Sequence, residues 1–239
     1  MPTPVFENTL SSETCLPKKV FTSMKYDEMS EKILFYAKIL HQKNFLAAAD
    51  GNMSARVSEN EILITPSGCS KAFVKPDEMV LVTLKGEILR GKPSSELKMH
   101  LKVYQTCPKA KSVFHAHPPM AVAWSVARPE LTELPIRSLS EVILACGAIP
   151  IVPFAIPGSE EMGSNLEPFL PERRALILAR HGALTWGESV EEAHRGMERI
   201  EHAACILSYA VQLGSLSELE PNQLETLYKM RKNLGEKIF

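Results

Sequence analysis

The sequence predicts a layered α/β or α+β domain, and three observations carry that prediction. Helical and strand periodicities alternate from about residue 27 onward. Strand-like pieces are joined by tight-turn residues, clearest at Lys85-Gly86, which argues against an all-parallel sheet. No internal repeat, low-complexity tract or composition break divides the 239 residues. Residues 1–24 are polar, contain prolines and show no period, so a loose N-terminal arm is expected there. Residues 25–239 are expected to form a single domain.

The elements follow in order. From Asp27 to about Phe45, Met29, Ile33, Leu34, Tyr36, Ala37 and Leu40 recur at helical spacing. Asp50-Gly51-Asn52 is a turn, strands follow at 53–57 and 61–64, and Thr65-Pro66-Ser67-Gly68 is a second tight turn. Val80–Leu84 and Glu87–Leu89 straddle Lys85-Gly86 as a hairpin. Ser94-Ser95-Glu96 opens a helix to about Thr106, with Leu97, Leu101 and Tyr104 on one face. Ser112–His115 is a short strand leading into His115-Ala116-His117, and Ala121–Ala127 is helical. Ile149–Phe154 reads as a strand, Glu160–Leu170 as a helix, and Ala175–Ala179 as an apolar strand ending at Arg180-His181-Gly182. The longest helical pattern spans Val190–Leu213, and a last amphipathic segment covers 221–233.

Composition narrows the function classes. Hydrophobic residues make up 45% and charged residues 23%, a globular mix in a chain long enough to bury a substantial core. A net charge of −1 supplies no global field toward nucleic acid or an anionic membrane, so any bound anion needs a local site. The five cysteines (Cys15, Cys69, Cys107, Cys146, Cys205) are odd in number and scattered, without a Cys-x-x-Cys pair. A disulfide framework and a thiolate zinc site are both disfavoured. With no signal-peptide pattern and no apolar run near the roughly 20 residues of a membrane span, the expected compartment is a reducing cytoplasm.

Val113-Phe114-His115-Ala116-His117 is the most informative stretch. On a strand, residues i and i+2 share a face, so His115 and His117 present two imidazoles side by side. His181, before Gly182 at another strand end, completes a candidate triad. Three protein ligands with an open fourth position is a catalytic pattern, and nitrogen and carboxylate ligands suit Zn²⁺, with another divalent metal possible. A bare His-x-His is also a common surface pair. A second trio, His194, Glu198 and His202, lies at i, i+4 and i+8 on the long helix. Glu191, Glu192, Arg195, Arg199 and Glu201 around it read instead as a solvated charged face.

Three Gly/Ser turns precede the histidines: Asp50-Gly51-Asn52, Thr65-Pro66-Ser67-Gly68 and Pro93-Ser94-Ser95. Each offers backbone N–H groups and short polar side chains to a phosphate monoester. Ser94 and Ser95 also stand at a helix N-terminus, where the dipole favours an anion, although an ordinary N-cap explains either serine. Glu96, in the first helical turn, is a dipole partner by default. Beside a metal it would serve as ligand, or as the base next to a metal-bound carbonyl.

These pieces, in order, resemble a known family. Gly51-Asn52-Met53-Ser54, Ile64-Thr65-Pro66-Ser67-Gly68, Pro93-Ser94-Ser95-Glu96-Leu97, His115-Ala116-His117 and Arg180-His181-Gly182-Ala183-Leu184, closing on Trp186-Gly187-Glu188, are similar to the motifs of the class II aldolase/adducin family. The resemblance spans about residues 28–213. It implies a three-layer α/β/α sandwich around a mainly antiparallel central sheet, and a homotetramer with active sites between subunits. It implies zinc on His115, His117 and His181, and a phosphate pocket from Asn52, Ser67, Gly68, Ser94 and Ser95. Glu96 is implied as metal ligand and as acid/base. The implied reaction is retro-aldol cleavage of a small phosphorylated sugar, a ketose 1-phosphate such as fuculose 1-phosphate, to dihydroxyacetone phosphate and an aldehyde.

One position departs from the pattern. The family's fuculose enzyme carries a tyrosine acid after the His-x-His region, but Leu134–Pro150 contains none. Glu141 stands about where that acid belongs, and resembles the catalytic glutamate of methylthioribulose-1-phosphate dehydratase. It also reads as an exposed carboxylate at a helix start. A dehydratase and a non-catalytic adducin-like module are therefore the alternatives, although Ser-Ser-Glu favours the aldolase branch over the epimerases, which usually carry aspartate at the Glu96 position. Residues 128–141 and 214–239 are the candidate specificity segments, with Tyr228 and Arg231 within them.

Overall fold

The structure is a computed structural model that describes residues 18–238, with side chains from Tyr26 onward. The expected arm at 1–24 lies outside the described residues up to 17, and its last part, from Lys18, is helical. In chain order the elements are α1 (Lys18–Gln42), β1 (Asn52–Arg56), β2 (Glu61–Ile64), β3 (Val80–Thr83), β4 (Ile88–Arg90), α2 (Leu97–Thr106), β5 (Ser112–Ala116), α3 (Pro119–Ala127), α4 (Ser140–Cys146), β6 (Ile151–Val152), α5 (Glu161–Ser164), β7 (Ala175–Leu178), β8 (Gly182–Gly187), α6 (Val190–Leu213) and α7 (Pro221–Asn233).

The strands form one eight-stranded sheet in the order β4-β3-β2-β1-β5-β8-β7-β6. Every neighbouring pair is antiparallel except β6 with β7. The period-2 alternation of strand side chains divides the apolar residues between two layers. Leu63, Phe114, Ile177 and Ala183 point to one face, where α1, α3, α4, α6 and α7 pack. Ile62, Ile64, Val113, Leu176, Leu178, Leu184 and Trp186 point to the other, where α2 and α5 pack. The result is the expected α/β/α sandwich around a mostly antiparallel sheet. No helix among the described residues is long and apolar enough to cross a membrane.

Four elements differ from the sequence expectation. The strand read at Ile149–Phe154 shrinks to two residues, because Pro150 and Pro153 flank it and neither can donate to a ladder. The helix read at Glu160–Leu170 is confined to Glu161–Ser164 and continues as turns, with Gly163 inside it and Pro168 beyond. Strand β8, pairing both β5 and β7, was hidden by glycines at both ends that read as turn residues. Helix α4 is expected only as a helix start at Glu141, with no extent, because at seven residues it is too short to show a period.

Candidate metal centre and active site

Strand β5 lies at the middle of the sheet, between β1 and β8, and brings His115 to a fully buried position. Two glycines allow the backbones to close around it. A Cβ on Gly182 would stand 2.5 Å from the Ala116 carbonyl, 2.7 Å from His117 Cδ2 and 2.9 Å from His115 Cε1. Gly51 has φ +69°, and a Cβ there would lie 2.3 Å from Leu46 Cδ2 and 2.8 Å from the His115 carbonyl. Any side chain at either position would displace the histidines.

His117 falls one residue beyond β5 rather than within it, with its N–H bonded to the Phe45 carbonyl at 2.8 Å. His181 sits in the tight turn between β7 and β8, after Arg180 at φ +60°. Arg180 N–H donates to Ser125 Oγ at 2.8 Å, which fixes that turn to α3. The three rings nonetheless meet, with centroids 4.8–4.9 Å apart.

Their nitrogens have the spacing of one coordination sphere. Ligands at about 2.0–2.1 Å from a tetrahedral ion lie about 3.3 Å from one another. His115 Nε2 and His117 Nε2 are 3.1 Å apart. Glu96 Oε2 lies 3.2 Å from His115 Nε2, and Glu96 Oε1 lies 3.3 Å from His181 Nε2. All candidate ligand atoms of the three histidines fall within 4.8 Å of one another. The partners behind the rings select the ligating tautomer: His115 Nδ1–H donates to the Ala183 carbonyl at 2.9 Å, and His117 Nδ1 faces Asp50 Oδ2 at 3.4 Å. Burial, then the His117 and His181 charges, hold His115 well below the usual histidine range. Burial and His181 lower His117 as well, against the opposing pull of Asp50 and Glu96. The converging Nε2 atoms of the three histidines fit a divalent cation, and Glu96 fits as its carboxylate ligand.

Glu96 is the N-cap of α2, not a residue of its first turn, and is 8% exposed. Neither Ser94 nor Ser95 caps the helix. Asn52 Nδ2 donates to Glu96 Oε2 at 2.6 Å and to Ser94 Oγ at 3.0 Å, engaging both amide hydrogens. The two Ser/Gly turns are tied by a β-bridge between Pro66 and Pro93, and Ser67 N–H donates to the Lys92 carbonyl. Together they wall an open cleft of about 350 Å³ lined by Asn52, Ser67, Gly68, Ser94, Ser95 and Glu96, with His117 and His181 at one end.

Three residues that sequence reasoning missed belong here. Asp50 was read only as a turn former. Lys71 lines the cleft; its buried ammonium donates to the Ala49 carbonyl at 2.6 Å and the Cys69 carbonyl at 2.8 Å, leaving one hydrogen for an anion. Burial lowers its pKa, while Cys69, Asp50 and Glu96 oppose that shift. Nothing in a lone lysine marked it. His100, fully buried, bonds Asn52 Oδ1 at 2.5 Å, and its i+4 spacing from Glu96 was a visible sign that both share a helix face.

Other candidates lie elsewhere. Glu141 is exposed in the first turn of α4 and does not line the cleft. Arg231 is not a substrate-facing residue in this chain: it is buried, and its guanidinium donates to the carbonyls of Leu144, Ala145, Glu236 and Lys237, clamping the C-terminal tail to the end of α4. Tyr228 is 42% exposed on α7. The second trio does not assemble, and its face is not simply solvated. His194 is buried and stacked on Tyr36, with Glu198 3.5 Å from its Nδ1, while His202 opens onto a separate cleft with Lys43 and Arg195.

The family model for the class II aldolase and adducin N-terminal domain matches residues 31–207. The chain belongs to this family. It is 30% identical over 181 residues to a 3-oxo-tetronate 4-phosphate decarboxylase of Escherichia coli O6:H1, covering 75% of this chain and 85% of that protein. It is 31% identical over 167 residues to an L-fuculose phosphate aldolase of Methanococcus maripaludis, covering 70% and 89%. Among solved structures, YgbL of Escherichia coli superposes with TM-score 0.79 at 27% identity, covering 85% of this chain and 99% of that one. Within the class II aldolase family the chain is thus an enzyme of the metal-dependent lyase kind. Those names span two bond-breaking reactions, so chemistry beyond the class rests on the site.

Proposed function

We propose that the chain is a zinc-dependent lyase that cleaves a small ketose 1-phosphate by retro-aldol reaction to dihydroxyacetone phosphate and an aldehyde. The observation that carries this reading is the meeting of three histidines and both Glu96 oxygens at one end of a cleft walled by two Ser/Gly turns. A divalent cation there would be held by His115, His117, His181 and Glu96 and would supply Lewis acidity to the substrate's carbonyl end. The turns at Ser67-Gly68 and Ser94-Ser95, with the Lys71 ammonium, take the phosphate. Binding energy from that remote end then fixes the reacting carbons. As the carbon–carbon bond breaks, its electron pair enters the enediolate, and the hydroxyl proton of the departing fragment goes to an acid/base opposite Glu96. The enediolate carbon takes a proton relayed from solvent by the Glu96 carboxylate, and the opposite group returns its proton to solvent, so both regain their starting state.

Glu141 is assigned that opposite role, provided by a neighbouring subunit of a homotetramer. What supports this is its exposed place in the first turn of α4, open to a neighbouring copy of the chain. The even charge balance and scattered cysteines support a cytoplasmic enzyme acting on a small molecule.

A second reading is favoured by the decarboxylase relatives. Loss of carbon dioxide from a phosphorylated 3-oxo acid leaves the same enediolate of dihydroxyacetone phosphate, with no departing hydroxyl to deprotonate. Product analysis on zinc-loaded protein separates the readings. Ketose 1-phosphates yielding dihydroxyacetone phosphate plus an aldehyde support the aldolase, and Glu141→Gln should then cut turnover. Carbon dioxide release from a 3-oxo acid phosphate, unaffected by Glu141→Gln, supports the decarboxylase. Water loss from methylthioribulose 1-phosphate without chain cleavage would contradict both.

A further inference from the structure

A line of buried polar side chains runs from behind the cleft to Glu96. Tyr104, Ser54, His100 and Asn52 are each no more than 2% exposed. Tyr104 OH lies 2.8 Å from Ser54 Oγ, Ser54 Oγ lies 2.7 Å from His100 Nδ1, and His100 Nε2 lies 2.5 Å from Asn52 Oδ1. Asn52 Nδ2 donates to Glu96 Oε2, so the NH₂ of the amide faces the carboxylate. Asn52 Oδ1 then faces His100 and requires a hydrogen on Nε2. His100 Nδ1 consequently accepts from the Ser54 hydroxyl, whose oxygen accepts from Tyr104. Each donor polarises the next, in one direction, toward Glu96.

We propose that His100 is a positioning residue for the reaction: by donating Nε2–H to Asn52 Oδ1 it fixes the amide orientation that aims the Asn52 NH₂ at Glu96. The proposal rests on the acid/base role assigned to Glu96 above. It also gives Asn52 a different task from the phosphate contact expected of it, since both its amide hydrogens are engaged by Glu96 and Ser94. Burial pushes the His100 pKa down to about 3, with His115 adding to the shift and Glu96 opposing it, so the ring is neutral and keeps one acceptor nitrogen. Without the imidazole, Asn52 is free to flip and present its carbonyl oxygen to a carboxylate, a repulsive contact.

Two polar variants test this without emptying the core. His100→Gln places an amide N–H where Nε2 stands; His100→Asn is one methylene shorter and reaches Ser54 but not Asn52. On a ketose 1-phosphate that the zinc-loaded wild type cleaves, His100→Asn should lower kcat about tenfold or more with KM little changed, as for other supporting partners of a metal site. His100→Gln should regain most of the loss. If both variants lower only the melting temperature and leave kcat intact, the proposal is overturned. A readout independent of turnover is nitrogen-15 histidine NMR. The expected result is a neutral Nε2–H tautomer for His100 and a downfield Asn52 amide proton that His100→Asn loses and His100→Gln keeps. An Nδ1–H tautomer, or an Asn52 resonance indifferent to both variants, overturns the proposal. Should the wild type cleave no ketose 1-phosphate, the functional reading fails alone and the NMR result still decides this one.

Discussion

His115 Nε2 and His117 Nε2 stand 3.1 Å apart, a hydrogen-bond distance that becomes a contact between two lone pairs when both rings carry their hydrogen on Nδ1. Each ring has its Nδ1 turned to an acceptor behind it, the Ala183 carbonyl for one and Asp50 for the other. Both acceptors therefore push the lone pairs of the front nitrogens toward a shared point. A cation there relieves the contact.

That relief should be measurable as stability. Zinc at about 100 times its dissociation constant should raise the unfolding free energy by about 2.7 kcal/mol, seen as a higher melting temperature than in chelator-treated protein. His117→Ala should lose most of this shift while keeping the fold, because the ring is half-buried at the open side of the sheet. An equal shift in the variant would locate the metal elsewhere.

Acid should destabilise the metal-free protein in a defined direction. His100 is held near 3 and His115 well below the usual value, whereas both titrate near 6.5 when unfolded. As pH falls from about 6.5, the unfolded chain takes up protons that the folded chain refuses. Stability is thus full above that value and is lost as pH falls, for His100 toward about pH 3. Urea titrations at stepped pH check the slope; a flat profile from pH 7 to 5 would show that these rings protonate in the folded state.

Lys71 should act on substrate binding rather than on the bond-breaking step. Its ammonium is held by two carbonyls at the cleft wall, with one hydrogen left for an anion. Lys71→Met should raise KM for a phosphorylated substrate by roughly tenfold to a hundredfold, the worth of one charge-assisted hydrogen bond, with a smaller change in kcat. Steady-state kinetics on the zinc-loaded variant reads the split directly.

Arg231 should matter for stability. Its guanidinium satisfies four carbonyls of α4 and the C-terminal tail. Arg231→Leu removes their shared donor and leaves the buried Ala145 carbonyl unpaired, and should cost about 1–3 kcal/mol in urea unfolding. A variant as stable as wild type would mean that the tail rearranges to bond itself.

Much of this was legible in the sequence. The alternating periods read the layers, and α6 and α7 begin and end where the apolar pattern does. The histidine trio, Glu96 and the Ser/Gly turns were visible because ligand type, spacing and glycine carry local chemical information. What stayed hidden depends on long-range packing. Strand β8 needed both its neighbours to be recognised beneath its terminal glycines. Lys71 becomes a cleft residue only because its loop folds back on Ala49, and Arg231 looks like a surface cation until Leu144 and the tail enclose it. Glu141 was placed at a helix start, as found, but its own chain does not bring it to the cleft.

His115, His117, His181 and Glu96 are proposed to hold one metal ion. Anomalous diffraction from zinc-loaded crystals, collected on both sides of the zinc edge, tests it most directly. A single strong peak per chain is expected at about 2.0–2.1 Å from the Nε2 atoms of the three histidines, with a Glu96 oxygen or a bound ligand completing the sphere. A folded, zinc-exposed protein with no peak there, or with its ion on His194 or His202, would contradict it.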